Sequence, residues 1–385
     1  MKKKIVFVIN SLGYGGAERV LGNLLNAAGE RRERVDLHLV LLDRVPRVRA
    51  MPDFVVEHVL DGRGSLGRSM IQLHRLLLHL EPDLVVSFLV RANVASALAG
   101  RKLRCPIIVG ERMHLSSHLA GRYRGLKLRL TRLLPRLAYR SASVVLGVST
   151  GVTQDLVDKF AVPAARARTI FNPYDFTAIR EAGAHPPEVE LPRQFIVGVG
   201  RLERAKNFDL LIRAFAKARL PHSLVILGEG TERASLQRTV DELGIAHRVI
   251  LPGYVMNPFA IVARADFYVS SSRNEGFPNA MVEAMALGIP VVATDCRSGP
   301  AEVLAGIAKL DCAGMTEVDH GILVAEDSEA AFTQALERMA EPGTRAHYSA
   351  QARERAAEFS IDRIAAEYWD LFEATAKPAS LPAAR

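Results

Sequence analysis

The feature that most restricts how this chain can fold is an alternation of short apolar runs with helical patterns, repeated in two blocks. Ile5 to Ile9 is an unbroken I-V-F-V-I followed by glycines, as a strand buried on both faces should be. Ala17 to Ala28 then places Val20, Leu21, Leu24 and Leu25 on one helical face. Val35 to Leu42, Leu84 to Leu89, Ile107 to Val109 and Val144 to Val148 are further strands, with helical segments between them. Asn172 to Pro192 interrupts the pattern with four prolines and few core residues. A second block follows, with strands at Phe195 to Val199, Leu224 to Leu227, Val249 to Leu251, Phe267 to Val269 and Val291 to Thr294. The expectation is an α/β chain of two doubly wound, Rossmann-like domains, residues 1–180 and 191–360, with ligands at the strand C-termini. Ile361 to Ala374, carrying the single tryptophan Trp369, forms a last helix within the segment 361–376.

A length of 385 residues suits two domains that each bury a core. No apolar run reaches the roughly 18 to 20 residues of a membrane span. The opening M-K-K-K-I-V-F-V-I-N has too short an apolar part for a signal peptide and no cleavage site after it, so it reads as the first strand. Cys105, Cys296 and Cys312 make neither a C-x-x-C pair nor an even disulfide framework, which suits the cytosol. A small-residue tail follows Ala376. Charge is unevenly spread. Residues 1–190 hold 29 Lys/Arg and 17 Asp/Glu, net +12, whereas residues 191–385 hold 21 and 25, net −4. One half is therefore expected to face an anionic surface.

Three stretches carry candidate chemistry. Ser271 to Gly288 reads S-S-R-N-E-G-F-P-N-A-M-V-E-A-M-A-L-G, a polar loop ending at Pro278 and then a helix stopped by Gly288 and Pro290. Glu275 belongs to the loop, and Glu283 lies about one and a half turns inside the helix. Backbone N–H groups over Gly276 to Asn279, with Phe277 and Pro278 between, are expected to face the same space as Glu275 and suit an anion or sugar hydroxyls. Arg201 and Lys206 follow the first strand of the second block, where a fork and a point charge can hold a diphosphate. By itself R-L-E-R-A-K-N is more often a solvated loop, and Glu203 and Arg204 are read that way. Gly13, Gly15 and Gly16 follow the first strand and let backbone approach a ligand. The stretch G-Y-G-G-A-E lacks the G-x-G-x-x-G spacing of a dinucleotide fold.

Taken together, these stretches resemble glycosyltransferase family 4. The residues that carry the resemblance are Glu275 and Glu283 with G-F-P-N-A between, V-G-V-G-R at 197–201 before Lys206-Asn207, L-G-E-G at 227–230, L-P-G-Y-V at 251–255 and G-Y-G-G-A-E-R at 13–19. The resemblance covers nearly the whole chain. It implies the GT-B fold, two Rossmann-like domains facing across a cleft, with the last helix crossing back to the first. It also implies a retaining transferase that takes a nucleotide diphosphate sugar, a UDP-sugar favoured, with no further cofactor; Arg201 and Lys206 on the diphosphate leave no need for a metal ion. By the same resemblance Arg201, Lys206 and Glu275 serve catalysis. Gly15, Gly16, Gly230, Tyr254, Gly276, Phe277, Pro278, Asn279 and Glu283 bind donor, with Glu283 as the ribose clamp. Glu111, Arg112 and His114 line the acceptor side. Many relatives carry a histidine directly after that strand, whereas here Glu111 and Arg112 stand there, which leaves the acceptor-side polar group open. No protein nucleophile is implied: the leaving diphosphate oxygen takes the acceptor proton on the same face of the sugar.

Between Glu111 and Asp155 stand eight basic residues and no acidic one. Within Gly121 to Arg140, Leu126, Leu130, Leu133, Leu134 and Leu137 gather on one side of a basic amphipathic helix, suited to an anionic membrane. A lipid-linked saccharide acceptor, used at the inner face of the cytoplasmic membrane, follows from this helix and the resemblance together. Nucleic acid is not expected, because no recognition motif accompanies the basic run. His114 and His118 lack the further ligands a zinc site requires. The rival readings are a soluble acceptor, a sugar-nucleotide epimerase of the same fold, and a nucleotide-sugar binding module.

Overall fold

The structure, a computed structural model, describes residues 2–13, 15–46, 51–103 and 105–377. Tyr14 and the tail beyond 377 lie outside them. The chain forms two compact units, Met1–Tyr174 with Ile361–Arg385, and Asp175–Ser360.

Unit 1 runs β1 (Lys3–Ile9), α1 (Gly16–Asn26), β2 (Val35–Leu41), β3 (Val55–Val59), α2 (Leu66–Leu80), β4 (Leu84–Phe88), α3 (Val90–Leu103), β5 (Ile107–Glu111), α4 (Leu115–Arg122), α5 (Gly125–Tyr139), β6 (Val144–Gly147), α6 (Thr150–Phe160) and β7 (Ala167–Thr169). Its strands pair in parallel, in the order β3-β2-β1-β4-β5-β6-β7. Ile5, Phe7 and Ile9 of β1 have no exposure, because the central strand of a parallel sheet is covered on both faces.

Unit 2 contains α7 (Phe176–Ala184), β8 (Phe195–Val199), α8 (Phe208–Lys217), β9 (Ser223–Leu227), α9 (Arg233–Glu242), β10 (Val249–Gly253), α10 (Pro258–Val262), β11 (Phe267–Ser270), α11 (Asn279–Ala286), β12 (Val291–Thr294), α12 (Pro300–Ala305), β13 (Met315–Val318), β14 (Gly321–Val324), α13 (Glu329–Ala340) and α14 (Pro342–Ala357). The order is β10-β9-β8-β11-β12-β14-β13, parallel except for the antiparallel pair β13–β14 at one edge. The chain then returns to unit 1 as α15 (Ile361–Thr375). There Trp369 is fully buried, its indole N–H donates to the Leu24 carbonyl at 3.0 Å, and Phe372 meets Phe7 edge-on at 5.6 Å.

Two local details differ from the sequence expectation. Pro278 sits one position before α11, with φ −81° and ψ 74°, whereas Gly288 at φ +83° ends the helix as expected, in the left-handed region that suits glycine. The basic stretch 121–140 is not one helix: the chain is extended at Tyr123 and Arg124, and α4 and α5 are separate. Among the described residues no helix is long and apolar enough to cross a membrane.

Candidate active site

In an open α/β sheet the crevice for a ligand opens where the strand order reverses. In unit 2 that point lies between β8 and β11. The loops leaving these two strands carry Lys206 and Glu275, and they bring the two together. Lys206 Nζ donates to Glu275 Oε1 at 2.5 Å, and Ser272 Oγ donates to the same oxygen at 2.7 Å. Ser298 Oγ holds the Glu275 carbonyl oxygen at 2.5 Å, and Gly299, at φ +97°, lets that loop approach Pro278 where a Cβ would clash at 2.6 Å. Glu283 is buried in α11. Burial first, and then the charges of Glu275 and Glu283, raise the Tyr268 phenol far above its ordinary range. Burial and the Glu275 charge do the same to the Cys296 thiol, so both groups are neutral. The result is an ammonium and a carboxylate, each able to exchange its partner for a ligand: phosphate for the one, hydroxyls for the other.

The L-G-E-G segment supports this corner from behind. Leu202 N–H donates to the Glu229 carbonyl at 2.9 Å, and a Cβ on Gly230 would lie 2.4 Å from the Leu202 carbonyl oxygen. Gly230 thus has a packing reason to be glycine. Arg201 projects into solvent and pairs with Glu203 at 2.8 Å, and Tyr254 is also exposed. Gly276, Phe277 and Pro278 are buried, while the Asn279 N–H is already taken by the Phe277 carbonyl at 2.9 Å, so it does not join the expected row of donors.

The reversal in unit 1 lies between β1 and β4. Gly15 and Gly16 open α1 there, but the Glu18 carboxylate lies over the loop: a Cβ on Gly15 would fall 2.2 Å from Glu18 Oε2. Three polar residues just past β1, β2 and β4, namely Asn10, Asp43 and Arg91, were passed over in the sequence. Arg91 pairs with Asp43 and donates from Nε to Asn10 Oδ1 at 3.4 Å, and Leu89 just before α3 has φ +76°, an unusual value for a bulky side chain. The only sequence signal for them was position, each within a few residues of a strand C-terminus.

The three expected acceptor-side residues are engaged inside unit 1. Glu111 is 1% exposed, accepts from the Tyr139 hydroxyl at 2.8 Å and from the Arg112 N–H at 3.0 Å, and burial pushes its carboxyl up to about 7 against those two bonds. The Arg112 guanidinium lies 4.3 Å over the Phe88 ring and donates to Asn172 Oδ1 at 2.8 Å and Tyr368 hydroxyl at 3.0 Å. His114 Nδ1 meets Ser117 Oγ at 2.9 Å and lies 3.8 Å from Asp155.

The basic helix looks different. Leu126, Leu130, Leu133, Leu134 and Leu137 of α5 are all exposed, between 46% and 71%. Its fully buried residues, Pro135, Ala138 and Tyr139, lie toward the C-terminal end.

Comparison with known proteins covers both units. Residues 14–177 match the family described as Glycosyltransferase Family 4, and residues 193–341 match Glycosyl transferases group 1. The N-acetylgalactosamine-N,N'-diacetylbacillosaminyl-diphospho-undecaprenol 4-alpha-N-acetylgalactosaminyltransferase of Campylobacter jejuni is 30% identical over 378 residues, 94% of this chain and 97% of that protein. A second Campylobacter jejuni protein, a GalNAc-alpha-(1->4)-GalNAc-alpha-(1->3)-diNAcBac-PP-undecaprenol alpha-1,4-N-acetyl-D-galactosaminyltransferase, is 26% identical, covering 96% of this chain and 98% of its own. Among solved structures, Anabaena HepE in complex with UDP and glucose superposes with a TM-score of 0.75 at 22% identity, over 97% of this chain and all of that one.

Proposed function

Because the chain belongs to glycosyltransferase family 4 and has the GT-B fold, we propose that this transferase moves a hexosyl or N-acetylhexosaminyl unit, with retention, from a UDP-sugar to a lipid-linked saccharide at the inner face of the cytoplasmic membrane. The observation that carries the donor half is the Lys206–Glu275 pair at the strand reversal of unit 2. In this reading the donor diphosphate takes over Lys206 and recruits Arg201, and Glu275 turns to hydroxyls of the sugar. Glu283 receives the ribose, and the backbone around Gly276 and Phe277, with Gly230 and Tyr254, borders the nucleotide. Proton transfer from the acceptor hydroxyl goes to the leaving diphosphate oxygen. The side chains therefore act by position and by charge placed where phosphate charge develops.

The acceptor half rests on α5. Five exposed leucines beside the cations of Arg122 to Arg140 suit an interfacial helix, and several cations at about 1 kcal/mol each favour reversible docking on anionic lipid. The diphospho-undecaprenol acceptor named for the Campylobacter relative is of the same class.

Turnover of a labelled UDP-sugar, with and without a detergent-solubilised lipid-linked acceptor, tests both halves. Arg201→Ala and Lys206→Ala should each lower kcat/KM by about 10²-fold, the scale of losing a transition-state charge contact. Near wild-type rates in both variants overturn the diphosphate assignment. Transfer to soluble saccharide alone favours the soluble-acceptor reading.

A further inference from the structure

The backbone that carries Lys206 is held in an unusual way. The next residue, Asn207, is left-handed at φ +50° and ψ 40°, a conformation that Asn tolerates better than most side chains. It begins α8, yet its side chain does not cap the helix. Asn207 Nδ2 instead donates to Asp327 Oδ1 at 3.0 Å, in the loop between β14 and α13. The same oxygen accepts from Arg273 Nε at 2.8 Å, and Arg273 lies two residues before Glu275. Two more bonds close the ring: Arg273 N–H to the Ala205 carbonyl at 2.8 Å, and Ser271 Oγ to the Lys206 carbonyl at 2.9 Å. One carboxylate oxygen therefore ties the lysine loop, the glutamate loop and a third loop together. Asp327 is itself left-handed at φ +58°.

The Arg273–Asp327 ion pair itself does little for stability. Arg273 and Asp327 are about half exposed, and solvent screens a pair so placed. Placement accounts for the arrangement. A side chain that must meet a diphosphate at hydrogen-bond distance needs a fixed backbone, and small misplacements at such a contact are costly. We propose that Asp327 is a positioning residue, which through Asn207 and Arg273 sets Lys206 against the diphosphate of the donor. This rests on the reading of Lys206 given above.

The experiment compares UDP with UMP, which lacks the second phosphate, by calorimetric titration of the full chain. Asp327→Gly removes the carboxylate without straining the left-handed backbone, and Asp327→Asn keeps an acceptor oxygen in place. Asp327→Gly should weaken UDP by about tenfold, the scale of one charged hydrogen bond, and UMP by less than about twofold. Asp327→Asn should restore most of the UDP affinity. In a Lys206→Ala background Asp327→Gly should cost nothing more, because the two act on one contact. Equal losses for UDP and UMP, or additive losses in the double variant, overturn the positioning role while leaving Lys206 a diphosphate ligand. Unchanged UDP affinity in Lys206→Ala alone removes the diphosphate reading, and this proposal with it.

Discussion

Helices α5 and α15 both belong to unit 1, both have 15 residues, and both carry an apolar stripe at helical spacing. The stripe of α15, Ile364, Ala365, Tyr368, Trp369 and Phe372, is buried against β1 and α1 and is part of the unit 1 core. The stripe of α5 faces solvent along its length, and the helix is held on its other face, where Arg132 reaches the Ser116 carbonyl and Tyr139 reaches Glu111. One stripe therefore stabilises the fold, while the other is left largely to solvent. The side chains differ too: α15 uses aromatics, which fill a core with fixed geometry, whereas α5 uses leucines between arginines, which suit a disordered lipid surface.

The largest effect expected from this contrast is on the buried side. Trp369→Ala should cost about 3–5 kcal/mol in urea unfolding of unit 1, from lost burial and the cavity left behind. A loss below about 1 kcal/mol would mean that α15 is an appendage, and the contrast would collapse.

The anchor of α5 should show in the pH dependence of stability. Glu111 holds its proton more tightly in the folded chain, near 7, than in the unfolded chain, near 4.5. Its contribution is therefore fully present below pH 4.5 and is lost as pH rises through 7, a change on the order of 3 kcal/mol. Unfolding measured from pH 5 to pH 8 should show this decline in the wild type and a flatter profile in Glu111→Gln. Parallel profiles would remove Glu111 as the titrating anchor.

The smallest stability effect should come from the exposed stripe. Leu130→Gln and Leu134→Gln together should change stability by no more than about 0.5 kcal/mol, as surface substitutions do. The same pair should abolish co-sedimentation with vesicles of anionic lipid, and raised salt should release the wild type. Stability loss without loss of vesicle binding would assign α5 to the core after all.

Legibility followed burial. The strand Phe195 to Val199 is observed at the expected residues, and the other expected strands lie within two residues of their observed limits, since a continuous apolar run between glycines has few other uses. Strands β3, β7 and β13 were not legible. They lie at or near sheet edges, are half exposed, and read V-V-E-H-V, A-R-T and M-T-E-V. Their order comes from the neighbouring ladder rather than from their own hydrophobicity. β14 is buried, but its short G-I-L-V run follows the polar T-E-V-D-H and was not read as a strand. At the site, Lys206 and Glu275 were legible through the family motifs that carry them, each in a loop that follows an apolar run. Ser272, Ser298, Asn207 and Asp327 were not, since their part in the site depends on contacts between distant loops.

The sequence by itself determined the α/β class, the family, the loops that bear the donor-side charges and the cationic bias of the first half, because these depend on residue type and local spacing. Only the tertiary structure decided that Lys206 and Glu275 form one pair, that Glu111 turns inward to Tyr139, and that the leucines of α5 are uncovered while the aromatics of α15 are core. The reason is that helical periodicity shows which side chains share a face. What covers that face is set by segments far away in the chain, and no local pattern records them.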